Sequence, residues 1–315
     1  MGGAPRKVRA GIDFDMSSSA EAEGKLPRMR RFLRKPWPEK AKSVHFRWSA
    51  GIARIPKLMR LPFGAWWVLR NDNLGEPLST GSFETAELAF VDRFLRPGMT
   101  VLDLGAHHGL YTLLASKRVG KHGRVISFEP SPRERRALRL HVAMNRCWNV
   151  EIQGAALGDD NTEADLFVVQ GSQTGCNSLR PPVVESGTAP VRVRVIRLDD
   201  WVARRQIGRV DFIKLDVEGA ELTVLEGAAR LLEGQRRPVV LAEVQDVRTR
   251  SWGYAAKRIL EHLAKRGYTW FRLGETGSIE SLDVSGEEFD GNFVGCPSER
   301  LEELEGFGGT IARTA

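Results

Sequence analysis

The stretch MTVLDLGAHHGLYTLLASKRVG, residues 99–120, carries the pattern that decides the fold. Its first half is a short apolar run stopped by Gly105, the length of a buried strand. After Gly109 the apolar residues fall at helical spacing. Strand, glycine turn and helix in that order open a βαβ unit. In a doubly wound sheet ligands bind outside the carboxyl ends of the strands, so Asp103, Gly105, Ala106, His107, His108 and Gly109 stand where a ligand would sit. Gly105 permits the tight turn, Gly109 permits close approach, and the helix N-terminus beyond offers amides to an anion.

The same alternation continues in both directions. SFETAELAFVDRFLRPG reads as a helix ended by Pro97 and Gly98. Downstream, RVISFEP (124–130) reads as the second strand and SPRERRALRLHVAMNR as its helix; VEIQGAALGD supplies a third strand. VDFIKLD (210–216) is a fourth strand followed by the helix AELTVLEGAARLLEG, and RPVVLAEVQ (237–245) a fifth followed by YAAKRILEHLAKRG. YTWFRLG and DGNFVGC complete the set. The alternation predicts a parallel, doubly wound α/β sheet. Residues 160–203 interrupt it, with DLFVVQ and VRVRVIRLDDW as β-rich excursions around the loop GSQTGCNSLRPP.

The turn reads D-x-G-x-x-x-G rather than the dinucleotide fingerprint G-x-G-x-x-G. Twenty residues past Gly109 the second strand ends in Glu129-Pro130, where an acid would receive the ribose hydroxyls of an adenosine-containing ligand. A nicotinamide cofactor needs many amides for its pyrophosphate. An acid at Asp103, beside the turn, suits the cationic S-adenosylmethionine better.

DLGAHHGLYT, then VISFEP, then VDFIKLDVEGAELTVLEGA, with LDDW before it and GNFV near the end, resembles the FkbM family of S-adenosylmethionine-dependent methyltransferases. The resemblance covers about residues 80–297, and IKLDVEGAE is its most distinctive element. It implies a class I methyltransferase fold, Rossmann-like, with about seven strands of which the last is antiparallel, and O-methylation of a hydroxyl on a sugar or secondary metabolite. The family usually has Asn at the position of His107 here.

Methyl transfer from a sulfonium is an in-line displacement that needs the acceptor oxygen held against the methyl carbon, and an alcohol needs somewhere to send its proton. Asp216 ends the fourth strand and is expected to face the cofactor crevice. Glu243 ends the fifth behind apolar neighbours, so a raised pKa and a general-base role are expected, with pairing to an arginine as the structural alternative. His107 is a further candidate base. Glu218 stands between a substrate role and a dipole role, whereas Glu221 reads as an ordinary first-turn acid. Glu84 is expected near the methionine amino group, Asp159 or Asp160 near the adenine amino group, and Asn177 and Ser178 near acceptor or cofactor. Asp216, Glu243 and Asp246 could offer oxygens to a magnesium-type ion, although the resemblance does not call for one.

The net charge of +7 is unevenly placed. Residues 1–60 hold 15 Lys and Arg against 5 Asp and Glu, which leaves 32 against 35 for residues 61–315. A nucleic-acid groove in the domain is therefore not expected. Residues 1–27 read as a disordered basic tail and 28–79 as an arm rich in Trp and Arg, with contact to an anionic membrane surface as one reading and packing on the domain as the other. Residues 298–315 read as a C-terminal tail. Cys147, Cys176 and Cys296 show no CxxC spacing and read as reduced thiols of a cytoplasmic compartment. No run approaches a spanning helix, and no apolar leader opens the chain. The sequence points to a small-molecule or glycan acceptor. Its rivals are a nucleic-acid methyltransferase using the basic arm, an NAD-dependent oxidoreductase and a non-enzymatic binding module.

Overall fold

The strands of the expected βαβ series assemble into one twisted sheet in a computed structural model that describes residues 57–308. The tail, and the arm up to residue 56, lie outside the described residues. The strands in chain order are β1 (Lys57–Arg60), β2 (Trp66–Leu69), β3 (Thr100–Leu104), β4 (Arg124–Phe128), β5 (Val150–Gln153), β6 (Ala156–Gly158) and β7 (Thr162–Val169). There follow β8 (Thr188–Arg197), β9 (Phe212–Leu215), β10 (Val239–Gln245), β11 (Tyr268–Leu273), β12 (Ile279–Ser281) and β13 (Asp290–Pro297).

The main sheet has eight strands in the order β12-β11-β13-β10-β9-β3-β4-β5. Neighbours from β5 to β10 are parallel, whereas β13 runs antiparallel to both β10 and β11. The eighth strand, β12, is a three-residue edge piece paired with β11. Seven strands with an antiparallel last one make this the class I methyltransferase arrangement. The order reverses between β3 and β9, and a crevice opens at their carboxyl ends.

The apolar runs leave one core on each face of the sheet, because successive side chains point to opposite sides. Leu102, Leu104, Ile126, Phe128, Ile213 and Leu215 belong to one core; Val101, Val125, Phe212, Leu241 and Val294 belong to the other. On the second face the character changes along the strands. Val101 is followed on its own side by Asp103, Phe212 by Lys214, and Leu241 by Glu243. The polar ends of that face form the crevice floor.

Two expected elements are divided. VEIQGAALGD is two strands rather than one: the chain leaves the main sheet after Gln153, and β6 pairs in parallel with β8 in a separate three-stranded sheet completed by β7. The helix after β9 likewise splits into Glu221–Glu226 and Ala229–Glu233. Gly227 at the break lies against the Gly158 carbonyl of β6, leaving no room for a side chain. Asp199 of LDDW caps the second piece, accepting from the amides of Arg230 (2.8 Å) and Leu231 (3.0 Å).

Residues 57–79 pack on the domain: Leu61, Trp67, Leu74 and Leu78 share a cluster with Leu110 and Leu113. Trp67 stacks on His141 at 4.0 Å. Beyond Pro297 the packed chain continues through Ser298–Phe307, with Leu304 and Phe307 in the core and Arg300 buried on the carbonyls of Asp211 and Arg237. All three cysteines are free and buried. Among the described residues no helix is long and apolar enough to cross a membrane.

Candidate active site

The glycine turn after β3 is built around positive φ angles at Gly105 (+85°), His107 (+47°) and Gly109 (+94°). A Cβ on Gly105 would run into the Asp216 carbonyl, and one on Gly109 into Leu138. The turn is therefore pressed against the end of β9 on one side and the helix Pro132–Met144 on the other. Ala106 donates its amide to Phe128 O (2.9 Å), which ties the turn to β4. The Glu129 carboxylate joins the two strand ends, accepting from the amides of His107 (2.8 Å) and Ser131 (2.8 Å). Burial pushes the Glu129 carboxyl up to about 8 despite those two amides. Arg135 holds the carbonyls of Glu129 and Pro130.

A row of side chains crosses the carboxyl ends of the next strands. Register alone sets it: Asp103 is opposite Lys214, Lys214 is opposite Leu241, and Glu243 is opposite Asn292. Asp216, two residues beyond Lys214, comes level with Glu243 on the same face. Lys214 is 2% exposed; its Nζ donates to Asp216 Oδ2 (3.2 Å) and Asn292 Oδ1 (3.0 Å) and lies 5.2 Å over the Tyr111 ring. Burial works against the ammonium charge, yet the carboxylates of Asp216, Glu84 and Glu243 outweigh it and hold its pKa above the ordinary lysine value. Glu84 accepts from the Tyr111 hydroxyl, and Asp103 from Thr112 Oγ1. Desolvation raises both acids, Asp103 to about 6.

Asp216, Glu218 and Glu243 bring carboxylate oxygens within 4.8 Å of one another. Two of the three already have cations: Asp216 has Lys214, and Glu218 has Arg248 Nε at 3.0 Å. Glu243 Oε2 is enclosed and has no hydrogen-bond partner. Burial first, and then the charges of Asp216 and Glu221, push the Glu243 carboxyl well above the usual range. Glu218, at φ +56°, is raised in the same way by burial and by Glu243.

The structure thus gathers Glu84, Asp103, Gly105, Ala106, His107, Glu129, Pro130, Asn177, Ser178, Asp216, Glu218 and Glu243 around one cleft of about 270 Å³. Gly109, at the N-terminal cap of the helix Leu110–Val119, does not line it. Several of these side chains are committed to the protein. Asn177 Oδ1 accepts from the Val169 amide (2.9 Å), and Ser178 Oγ donates to the Glu218 carbonyl (2.8 Å). Glu221, read as an ordinary first-turn acid, is buried and accepts from the amides of Val217 and Gly219. The His107 ring meets Thr174 Oγ1 at 3.1 Å and stacks on His108; burial lowers it to about 4, so it is neutral at pH 7.

Asp159 and Asp160 are exposed and do not reach the cleft, because they follow β6, which belongs to the other sheet. Ala155, Ala156 and Leu157 line the wall there instead. Asp246 also stands apart from the acid cluster: its two oxygens accept from the amides of Ala256 (3.0 Å) and Phe289 (2.9 Å). Sequence reasoning passed over Lys214, Arg248, Tyr111 and Asn292. Lys214 carries a local signal, a charge inside the apolar strand FIKL.

Six carboxyl groups and two basic side chains, the latter each in an ion pair, suit a ligand that brings positive charge and offer little to a pyrophosphate. The lining fits S-adenosylmethionine: Glu129 would meet ribose hydroxyls, the apolar wall Ala155–Leu157 would take a base, and Glu84, Asp103 and Asp216 would face an ammonium and a sulfonium. The family model described as Methyltransferase FkbM domain matches residues 103–269, from the glycine turn into β11.

The chain belongs to the FkbM methyltransferase family. The matched stretch is a methyltransferase domain, and it includes the ends of β3, β4, β9 and β10 that line the cleft. Among relatives, the 31-O-demethyl-FK506 methyltransferase FkbM of Streptomyces tacrolimicus is 27% identical over 229 residues, 61% of this chain and 83% of that protein. The 2-O-methyltransferase NoeI of Sinorhizobium fredii is 26% identical over 45% of this chain and 62% of its own length. The AMB antimetabolite synthetase AmbE of Pseudomonas aeruginosa is 27% identical over 55% of this chain, which spans a tenth of that protein.

Proposed function

We propose that this FkbM-family enzyme methylates a hydroxyl group of a glycan or natural-product acceptor, with Glu243 as general base. The observation that carries this reading is the enclosed, unpartnered Oε2 of Glu243 at the end of β10, beside two acids already held by cations. A buried acceptor oxygen without a partner costs about 1–3 kcal/mol, so it is retained where a ligand completes it. An incoming hydroxyl would complete it by donating its proton. The names of the FkbM and NoeI relatives, both O-methyltransferases, support the same chemistry.

S-adenosylmethionine, when bound, supplies an electrophilic methyl carbon on a sulfonium. Glu129 orients the ribose, while Gly105 lets the Asp216 backbone close against the turn. Asp216, held by Lys214, would offer negative charge to a sulfonium in the cleft. Glu243 takes the hydroxyl proton as the oxygen attacks in line. Its raised pKa makes it a better proton acceptor once a bound cation has favoured its ionised form. In this reading residues 80–297 are the catalytic unit, and residues 57–79 with the 160–203 excursion shape the acceptor side.

Glu243→Gln tests the assignment. Calorimetry with S-adenosylhomocysteine should give an affinity within about threefold of wild type, while turnover on any accepted hydroxyl should fall by about 10²–10⁴. Unchanged turnover removes Glu243 from the role of base.

A further inference from the structure

The domain's near-neutral total hides a segregation of charge. Residues 116–150 hold nine Lys and Arg against two acids, Glu129 and Glu134, and both acids are buried. Four of the nine are committed: Arg118 to Asp92, Arg124 to Glu151, Arg133 to Glu134, and Arg135 to the carbonyls of Glu129 and Pro130. The other five, Lys117, Lys121, Arg136, Arg139 and Arg146, are exposed and have no carboxylate partner among the described residues. Lys117, Lys121 and Arg146 line one groove together with Trp148, which is 88% exposed. Arg124 and Val150, the first residues of β4 and β5, line it too, so the groove lies at the amino ends of the strands, opposite the cleft. Asn145, on the rim, holds both backbone groups of Trp66, accepting from the amide (2.7 Å) and donating to the carbonyl (2.8 Å). A second tryptophan, 48% exposed, thereby reaches the same edge. Leu140 is exposed on the helix Pro132–Met144, about 8 Å along its axis before Asn145.

Charge and apolar surface together choose the partner. A single small anion needs converging donors, and the groove offers few: the helices Leu110–Val119 and Pro132–Met144 both end at it, presenting carbonyls rather than amides. The carbonyls of Ser116 and Gly120 already accept from Asn149 Nδ2 (3.0 and 2.9 Å). A nucleic acid would use the cations and stack on the indoles, but gains nothing from an exposed leucine beside them. A bilayer with anionic headgroups uses all three, since Lys and Arg meet the surface charge, Trp sits at headgroup level and Leu reaches the acyl boundary. Residues 1–56, with 13 Lys and Arg against 5 Asp and Glu, run into the hairpin that carries Trp66 and add charge of the same sign. We infer that the face formed by Lys117, Lys121, Arg146, Trp148 and Trp66 docks on an anionic lipid bilayer, with the catalytic cleft at the far end of the strands.

Sedimentation of the full chain with lipid vesicles tests this. Vesicles of three parts phosphatidylcholine to one part phosphatidylglycerol should carry the protein down at low salt, vesicles of phosphatidylcholine alone should not, and added salt should release it. Lys117→Gln, Lys121→Gln and Arg146→Gln combined should weaken association about tenfold or more, and so should Trp148→Ser. All four side chains are exposed, so both variants should keep the wild-type Tm and S-adenosylhomocysteine affinity, which separates lost docking from a lost fold. Phosphatidylcholine brominated in its acyl chains, included in the mixed vesicles, should quench part of the wild-type tryptophan emission, and that part should be missing in Trp148→Ser. Wild-type association in both variants would mean that the N-terminal residues hold the vesicle by themselves, and overturns the inference. Equal association with the two kinds of vesicle overturns it as well. So does a full chain that stays in solution beside the mixed vesicles; an RNA oligonucleotide bound by the wild type and released by the same variants would then give the face to nucleic acid.

Discussion

Replacing Gly105 with alanine puts a methyl group where the end of β9 already is. At φ +85° an L-residue costs about 1–2 kcal/mol, and the new Cβ would lie 2.8 Å from the Asp216 carbonyl carbon and closer still to its oxygen. Ordinary carbon contacts are about 3.5–4.0 Å, so the backbone at Asp216 must move, at an overpacking cost of about 1–3 kcal/mol. The total is about 2–5 kcal/mol, or roughly 4–20 °C in Tm at about 2–4 °C per kcal/mol for a domain of this size. Gly98→Ala is the internal control: its φ is +87°, yet nothing lies within 4 Å of the added Cβ. It should lose only the conformational part, about 1–2 kcal/mol. Differential scanning calorimetry of both variants, with and without S-adenosylhomocysteine, isolates the steric share. Because Asp216 is displaced only in Gly105→Ala, the ligand-induced rise in Tm should shrink in that variant and persist in Gly98→Ala. Equal Tm losses in the two variants, with equal ligand-induced gains, would refute the contact between turn and strand end.

Two further outcomes follow from the site and its supports. In the free protein Glu129 holds its proton up to about 8, whereas ribose hydroxyls are accepted best by the ionised form, so S-adenosylhomocysteine affinity should increase as pH rises from 6 and level off above about 8. Calorimetry across that range should show the slope, and Glu129→Gln should flatten it while weakening binding by roughly tenfold or more, the loss of a charge-assisted hydrogen bond. Asp199→Ala should cost about 1–2 kcal/mol of stability by removing the cap on Ala229–Glu233, with ligand affinity unchanged, as thermal melts and calorimetry together would register.

The parallel part of the sheet was legible because its strands are buried on both faces and read as continuous apolar runs: VLDL, RVISF, FIKL and VVLAEV each appear where expected. The carboxyl-end rule then located Asp103, Glu129, Asp216 and Glu243 without any structure. The failures share one cause, which is long-range pairing. Nothing local in VEIQGAALGD says that Gln153 ends one sheet and Ala156 begins another, since that depends on β8, about 40 residues away. Asp159 was misplaced in consequence. Lys214 escaped notice because its meaning lies in partners from β13 and from the helix after the glycine turn, none of them near it in sequence. Asp246 seemed free for a metal because the two amides that claim it, Ala256 and Phe289, lie 10 and 43 residues away.

The central claim is that the methyl group goes to oxygen. The measurement that tests it most directly is NMR of the product formed when the protein, S-adenosylmethionine labelled with ¹³C in the methyl group, and a panel of hydroxylated glycan and natural-product acceptors are incubated together. The account predicts a labelled carbon with the chemical shift of a methoxy group, correlated to a carbon that bore a hydroxyl in the acceptor, and formed far more slowly by Glu243→Gln. A labelled methyl found on nitrogen or carbon, formed at the same rate by Glu243→Gln, would contradict it.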